Sequence, residues 1–303
     1  MNNHATAPPI LHPGDKVGIV APANKIDLEV IESAKEIITS WNLKVVLGKS
    51  LSNRHGTFAG TDQDRLHDFQ QMLDDNEIKA IICARGGYGS LRILDQVNFQ
   101  NFLQQPKWII GYSDITAFHA AVYKLGFQSA HAIMPINFES DTQQLSINSL
   151  KNLLFDQPQQ ITAESDKLNK TGVGSGPIIG GNLAIICSQI GTPTDLDTSG
   201  KILFLEEIGE YLYHLDRMMI QLRRAQKLEG LNGLILGQFT NMKDNDIPFI
   251  FTLKEIIFQY VKDYDFPVGF NFDVGHEIPN YALPHGRMAE LKVDNAGSRL
   301  NFL

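Results

Sequence analysis

The chain of 303 residues is poor in cysteine, in tryptophan and in clustered basic residues. Its two cysteines, Cys83 and Cys187, are too few for a disulfide framework and lie within apolar runs. Lys and Arg number 26 against 34 Asp and Glu, and the net charge is -8. Because a surface that binds the phosphate backbone needs clustered cations, we expect no nucleic-acid partner.

Long apolar runs and a secretion signal are lacking as well. No stretch reaches the roughly 18 apolar residues that a membrane-spanning helix requires. Residues 1–20 (MNNHATAPPILHPGDKVGIV) lack the basic start and continuous apolar core of a signal peptide. We therefore expect a cytoplasmic protein with no membrane partner.

The first half of the chain alternates short apolar runs with amphipathic segments. Residues 28–41 and 64–73 carry apolar side chains at helical spacing. The runs between them are β-branched and bounded by Gly, Pro or charge, as in buried strands: Lys16–Ala21, Leu43–Leu47, Ala80–Ala84 and Trp108–Ile110. This alternation predicts an α/β fold whose N-terminal sheet is mostly parallel and Rossmann-like, with flanking helices.

The amino-acid composition changes after residue 155. Residues 156–176 (DQPQQITAESDKLNKTGVGSG) are polar and contain glycine, which predicts a linker. Beyond it we expect a strand over Lys201–Leu205, an amphipathic helix with Leu212, Leu215, Met219 and Leu222 on one face, and a hairpin over Ala289–Leu303. The predicted domains are 1–155, α/β, and 177–303, mixed α+β.

Two glycine-containing turns follow predicted strands, where ligands bind in parallel sheets. The first is Arg85–Gly89 (RGGYG), whose glycines allow close backbone approach to a ligand, although a tight turn explains them equally. The second is Gly111–Asp114 (GYSD), where Ser113 is either a nucleophile or, like Asp114, a cap for the next helix. Ile115 breaks the common elbow pattern G-x-S-x-G.

A nucleophilic serine needs a base and an orienting group. Among nine histidines, His276 and His285 lie in loops among Gly, Pro and Asn, where a side chain can be aimed into a site. Glu206 and Glu207 directly follow the apolar run ILFL. No paired metal-ligand spacing is present, so we predict no metal and no cofactor. Cys83 lies inside a strand pattern and is expected to pack as a small hydrophobe.

Separated motifs, in order through nearly the whole chain, resemble those of one family. They are PGDKVGIVAP (13–22), FAGTD (58–62) with Arg65, ARGGYG (84–89), GYSD (111–114), GGNL (180–183), LFLEE (203–207), Asp216-Arg217, Gly275-His276, Pro279-Asn280 and Leu283-Pro284. Together they resemble the LD-carboxypeptidases, serine peptidases that trim the stem peptide of bacterial cell walls.

The resemblance implies a catalytic triad of Ser113, Glu206 and His276, with Glu207 as the second choice for the acid. The nucleophile would come from the N-terminal domain and its partners from the C-terminal one, with the active site in the cleft between them. The implied substrate is a muropeptide tetrapeptide that loses its terminal D-alanine, and the implied assembly is a homodimer. As hypotheses, the amides of Asp114 and Gly87 form the oxyanion hole.

Substrate binding is assigned to the glycine turn. Arg85 is a candidate for the substrate carboxylate, with Gly86 and Tyr88 beside it. Three alternatives stay open: a microcin-immunity-type peptidase acting on peptidyl-nucleotide amides, a non-catalytic muropeptide-binding protein, and a glutaminase-like amidotransferase. The microcin-immunity-type relatives carry an aromatic-bearing loop, whereas residues 156–176 of this chain contain no aromatic residue. A glutaminase-like amidotransferase would use cysteine where this chain has Ser113.

Overall fold

The computed structural model describes residues 5–138, 141–155 and 160–303. These residues form two compact units. The N-terminal unit contains the described residues of 5–155 together with Ile278–His285, and the C-terminal unit contains residues 160–277 together with Gly286–Leu303.

Strands and helices alternate along most of the chain. The β-strands are β1 (Lys16–Val20), β2 (Lys44–Leu47), β3 (Ile78–Cys83), β4 (Trp108–Gly111), β5 (Ser129–His131), β6 (Ile161–Glu164), β7 (Gly172–Asn182), β8 (Ile202–Ile208), β9 (Gly233–Thr240), β10 (Val268–Gly269), β11 (Leu283–His285), β12 (Met288–Asp294) and β13 (Gly297–Phe302). The α-helices are α1 (Leu28–Ser40), α2 (Asp62–Asp74), α3 (Ser90–Leu94), α4 (Gln100–Gln104), α5 (Thr116–Lys124), α6 (Gln144–Leu154), α7 (Leu183–Gln189), α8 (Leu212–Arg224) and α9 (Leu253–Val261).

The N-terminal unit is built on a six-stranded sheet with the order β11-β5-β4-β3-β1-β2. Its first five strands along the chain pair in parallel, and β11 runs antiparallel to β5. Helices α1, α2 and α5 pack against these strands. The predicted mostly parallel, Rossmann-like sheet is therefore confirmed, and the carboxyl ends of β1, β3 and β4 meet at one edge.

Helix α2 shows why the polar segment after residue 60 folds locally. The Thr61 hydroxyl accepts a hydrogen bond from the Asp64 amide (3.1 Å), and the Asp64 carboxylate accepts one from the Thr61 amide (2.9 Å). This reciprocal capping box satisfies amide groups that a helix start leaves without intrahelical partners. Leu66, Phe69 and Met72 then bury the apolar face of the helix.

The C-terminal unit contains a mixed seven-stranded sheet with the order β10-β9-β8-β7-β12-β13-β6. Strands β7 to β10 are parallel, whereas β12, β13 and β6 pair antiparallel. The predicted hairpin is confirmed as β12 and β13, and Leu215, Met219 and Leu222 form the buried face of α8. Leu212 is only partly buried.

Two parts of the predicted domain division are corrected. Residues 161–164 and 172–176, predicted as linker, are strand β6 and the start of β7, while 156–159 lie outside the described residues. Residues 278–285, predicted within the C-terminal domain, belong to the N-terminal unit because β11 pairs with β5. Within the described parts of the chain, no helix is both long and apolar enough to cross a membrane.

Candidate active site

Ser113 lies at the turn that joins β4 to α5. The turn contains a short 3-10 helix over Ser113–Ile115, and α5 begins at Thr116. Ser113 has a φ of 63°, in the left-handed region that a non-glycine residue seldom adopts. Such backbone strain costs on the order of 1–3 kcal/mol and is concentrated at functional sites. The turn thus holds a half-exposed serine at the carboxyl edge of the sheet in the manner of a nucleophile elbow.

The glycine turn Arg85–Gly89 follows the neighbouring strand β3 and packs against Ser113. A Cβ atom added at Gly86 would lie 3.1 Å from Ser113 Cβ and 3.3 Å from Ser113 Oγ. The same atom would lie 3.3 Å from the Asp114 amide nitrogen. The absence of a side chain at Gly86 therefore permits this close approach.

Asn24, which follows β1, holds the same turn from its other side. Its amide donates to the Gly86 carbonyl (3.3 Å), and its side-chain oxygen accepts from the Tyr88 amide (3.4 Å). Gly87 has a φ of 99°, and a Cβ there would lie 2.3 Å from Asn24 Nδ2. The sequence interpretation missed Asn24, for which its position at the end of a buried strand was the available signal.

Asp114 is buried and connects the two turns. Its Oδ2 atom accepts a hydrogen bond from the Ser90 amide at the start of α3 (2.8 Å). Burial raises the pKa of Asp114, and hydrogen bonds from Ser90 and Gly89 oppose that rise. The suggestion that Asp114 caps the helix after it is wrong: α5 begins without a side-chain cap hydrogen bond, and the carboxyl group of Asp114 instead accepts from the first amide of α3.

The two predicted substrate-binding side chains of the glycine turn differ in their surroundings. Arg85 Nη1 donates to the Lys25 carbonyl (3.3 Å), so this arginine braces the turn. Tyr88 is exposed, and its ring centroid lies 5.9 Å from that of Phe58.

The C-terminal unit pairs Glu206 with His276. Glu206 lies at the carboxyl end of β8 with no exposed surface, and His276 lies in the loop after β10. His276 Nδ1 and Glu206 Oε2 are 2.6 Å apart. A carboxylate accepts the Nδ1–H proton, which leaves Nε2 as the basic atom of the neutral ring. Burial lowers the pKa of His276, but the charge and hydrogen bond of Glu206 and the charge of Glu207 raise it above its ordinary value.

The carboxylate of Glu207 is hydrogen-bonded to other residues than His276. Its Oε1 accepts from Asn182 Nδ2 and from the Ile208 amide, both at 2.9 Å, and its Oε2 accepts from the Ala184 amide at 2.8 Å. Burial raises the pKa of Glu207 to about 7. Of the two candidate acids, Glu206 is therefore the one that the structure joins to His276, while Glu207 ties β8 to the start of α7.

His285 and the cysteines have structural surroundings. His285 is buried in β11, with its ring 5.6 Å from that of His119, and burial lowers its pKa. Cys83 and Cys187 are buried, and burial raises the pKa of both thiols, which disfavours a thiolate nucleophile. Among the residues that the structure describes, no group of three or more His, Cys, Asp or Glu side chains is placed to hold a metal ion.

Comparison with known proteins shows which family the chain resembles. A model described as the LD-carboxypeptidase N-terminal domain matches residues 17–132, and one described as the LD-carboxypeptidase C-terminal domain matches residues 175–291. The chain is 35% identical to a probable murein peptide carboxypeptidase of Bacillus subtilis, over 94% of this chain and 91% of that protein. It is 28% identical to a murein tetrapeptide carboxypeptidase of Pseudomonas aeruginosa, over 95% of each.

Solved structures share the fold. Muramoyltetrapeptide carboxypeptidase from Oxalobacter formigenes superposes with a TM-score of 0.87 at 26% identity, over 95% of this chain and 98% of that one. The microcin C7 self-immunity protein MccF, solved with aspartyl sulfamoyl adenosine, gives a TM-score of 0.86 at 21% identity over 98% of each chain, a likeness of fold alone.

Fold and family matches together define a serine-type carboxypeptidase with a peptidoglycan-related function. The chain belongs to the LD-carboxypeptidase family, as its motifs predicted. The hypotheses of a non-catalytic binding protein and of an amidotransferase are set aside by this assignment.

Proposed function

We propose that this enzyme releases the terminal D-alanine of muropeptide tetrapeptides through a triad of Ser113, Glu206 and His276. The observation that carries the proposal is the 2.6 Å hydrogen bond between His276 Nδ1 and the buried Glu206. A serine nucleophile needs such an oriented base. The positive φ of Ser113 supports its assignment as the nucleophile, and the relatives named as murein peptide carboxypeptidases support the substrate class.

In the proposed reaction, His276 Nε2 accepts the hydroxyl proton while Ser113 Oγ attacks the carbonyl carbon of the peptide bond before D-alanine. When the tetrahedral intermediate collapses, the C–N bond breaks and His276 protonates the leaving amine. Water then hydrolyses the acyl-enzyme ester, again with His276 as the base. Glu206 holds Nδ1–H throughout and stabilises the imidazolium.

The amides of Asp114 and Gly87 are the proposed oxyanion donors. Each donor of this kind contributes about 3–4 kcal/mol to the stabilisation of the transition state. The packing of Gly86 against Ser113 and the Asp114 amide supports this assignment, since it brings the glycine turn to the nucleophile.

Arg85 is proposed to hold the free carboxylate of the substrate, with Gly86 and Tyr88 beside it. A guanidinium has five N–H donors, and the bond from Arg85 to the Lys25 carbonyl uses one of them. The planar fork of the remaining donors suits a carboxylate.

The test is release of free D-alanine from a purified muropeptide tetrapeptide, with the matching tripeptide as the control substrate. The tetrapeptide should release one D-alanine per molecule and the tripeptide none. Substrates with lysine or diaminopimelate at the third position then determine which diamino acid is preferred. If the wild-type protein leaves both tetrapeptides intact, the substrate proposal is wrong.

The microcin-immunity-type hypothesis is tested with the same protein. An aminoacyl sulfamoyl adenosine serves as the substrate, and release of the amino acid is measured. Because residues 156–176 contain no aromatic side chain to stack on a base, we expect turnover at most about 1% of that with the tetrapeptide. Comparable or faster turnover of the nucleotide amide would favour this second function.

We also propose that the enzyme is a cytoplasmic homodimer. The dimer derives from the family resemblance alone, and the cytoplasmic location derives from the sequence. Light scattering coupled to size-exclusion chromatography measures the mass in solution, for which the chain of 33.8 kDa sets the monomer value. A mass of one chain at micromolar concentration would contradict the dimer.

A further inference from the structure

Arg65 is a fully buried arginine beside the candidate site, and the proposed reaction does not use it. It lies in α2 with no exposed side-chain surface. Its Nη1 atom donates to the carbonyls of Pro22 and Gly89, the latter at 3.0 Å, and its Nη2 atom donates to Asp62. Burial lowers the pKa of Arg65, so these contacts hold a charge where burial disfavours it.

The contact to Gly89 acts on a single peptide group. The Gly89 carbonyl accepts from Arg65, and the amide of the same peptide, Ser90 N–H, donates to Asp114 Oδ2. Because a trans peptide is planar, its carbonyl and its amide hydrogen point to opposite sides. The Gly89–Ser90 peptide group is therefore hydrogen-bonded on both sides, to the buried side chains of Arg65 and Asp114.

This peptide lies where it determines the position of the glycine turn. It comes two residues after Gly87, and its partner Asp114 directly follows Ser113 in the chain. At the other end of the turn, the Gly86 carbonyl accepts from the Asn24 amide. Hydrogen bonds therefore hold both ends of the turn.

We propose that Arg65 is a positioning residue that fixes the Gly86–Gly89 turn against Asp114 and thereby aligns the two oxyanion donors. This inference rests on the proposed function for the identity of the nucleophile, Ser113. Arginine suits the role because its planar fork donates to two carbonyls and one carboxylate at once, whereas a lysine ammonium is a single point on a flexible stem.

Lys107 provides a matched control within the same unit. It is also a buried cation, 2% exposed, and its Nζ donates to two carbonyls, those of Met72 (3.2 Å) and Asp75 (2.7 Å). It precedes β4, at the end of that strand opposite to Ser113. Lys107→Met therefore removes a buried cation of comparable bonding without touching the glycine turn.

The experiment compares Arg65→Lys, Arg65→Met and Lys107→Met with the wild type. Three quantities are measured: the midpoint of thermal unfolding, the rate at which diisopropyl fluorophosphate labels Ser113, and kcat and KM for the tetrapeptide. Labelling forms a bond from Ser113 Oγ to phosphorus and releases fluoride, places the phosphoryl oxygen at the proposed oxyanion site, and does not depend on the peptide substrate. All rates are taken well below the unfolding midpoints.

We expect Arg65→Lys to slow labelling and lower kcat by about 10²-fold, with KM within about threefold of the wild type. Arg65→Met should be slower still, and if it does not fold, Arg65→Lys carries the comparison. Lys107→Met should lower the unfolding midpoint and leave labelling unchanged. If Arg65→Lys is labelled at the wild-type rate, or if labelling of Lys107→Met is slowed as much as that of Arg65→Lys, Arg65 has only a structural role.

The outcome for the proposed function is separate. If the wild type is labelled but releases no D-alanine from the tetrapeptide, the proposed substrate is wrong and the labelling rates still decide the role of Arg65. If Ser113→Ala is labelled as fast as the wild type, Ser113 is not the nucleophile, and the proposed positioning role of Arg65 is wrong as well.

Discussion

At the scale of single residues, the two adjacent glutamates of β8 show how the fold separates two carboxyl groups. Side chains alternate across a strand, so neighbours in sequence point to opposite faces. Glu206 meets His276, while Glu207 meets Asn182 and the first turn of α7. The chemistry of each carboxyl group is thus determined by its partners, although both groups are buried.

Replacing Glu206 with glutamine should lower kcat by about 10³–10⁴-fold, because an amide can present its N–H₂ group to the ring and favour the wrong tautomer. The chain offers a matched control in Glu210, which precedes α8 and whose carboxylate lies 2.6 Å from Nδ1 of the partly buried His214. Glu210→Gln should retain the wild-type kcat. Equal losses in the two variants, measured by D-alanine release, would contradict the assigned role of Glu206.

The pH dependence of kcat/KM should report the His276 pKa. The base must be neutral to accept a proton, and the pKa of His276 is raised above the ordinary histidine value of 6.5. As the pH falls, activity should therefore begin to decline at a pH above 6.5. In Glu206→Gln the charge of Glu206 is gone, only the charge of Glu207 still raises the pKa and burial still lowers it, so the residual activity should extend to lower pH. A wild-type inflection below 6.5 would contradict this account.

At the scale of elements, the site depends on turns at the carboxyl ends of parallel strands. Gly87→Ala should lower kcat by about 10²-fold, because its Cβ would lie 2.3 Å from Asn24 Nδ2 and displace the turn. Gly14 has a similar φ of 94°, and a Cβ there has no heavy atom within 4 Å. Gly14→Ala should therefore cost only about 1–2 kcal/mol of stability, from the left-handed backbone, and leave kcat unchanged. The comparison uses kinetics together with urea unfolding.

The elements that the sequence predicts well are those with a strong local pattern. Strands β1 to β4 are short, β-branched apolar runs, and α1 and α2 have helical spacing, so local burial determines them. Strand β6 was missed because alternate residues are exposed and polar, and β7 begins with glycines that resemble a linker. Strand β11 has three residues and exists because it pairs with β5, a contact between distant parts of the chain.

The same distinction applies to the candidate site. The residues alone left His276 and His285 open, and Glu206 and Glu207 likewise, and the family motifs selected between them. The structure adds the partners that no local pattern contains. Asn24 and Arg65 reach the glycine turn from the segment after β1 and from α2, across separations of 64 and 24 residues. Such contacts depend on the packing of the sheet, so they cannot be predicted from the local patterns of a single sequence.

At the scale of the whole molecule, the proposed triad draws its members from both compact units. Ser113 belongs to the N-terminal unit, and Glu206 and His276 belong to the C-terminal unit. The chain crosses between the units more than once, since Ile278–His285 returns to the N-terminal sheet directly after the segment with His276.

A double-substitution cycle tests whether residues of the two units act in one reaction. If Ser113 and His276 form one catalytic device, Ser113→Ala should remove nearly all that the device contributes, and adding His276→Ala should change the residual rate by less than about threefold. If they act separately, the two losses should multiply, and the double variant should fall below either single variant by the full second factor. The residual release of D-alanine is measured for all three variants at high enzyme concentration. Multiplicative losses would overturn the triad even if each residue alone proves essential, because independence is incompatible with a proton passing from Ser113 to His276.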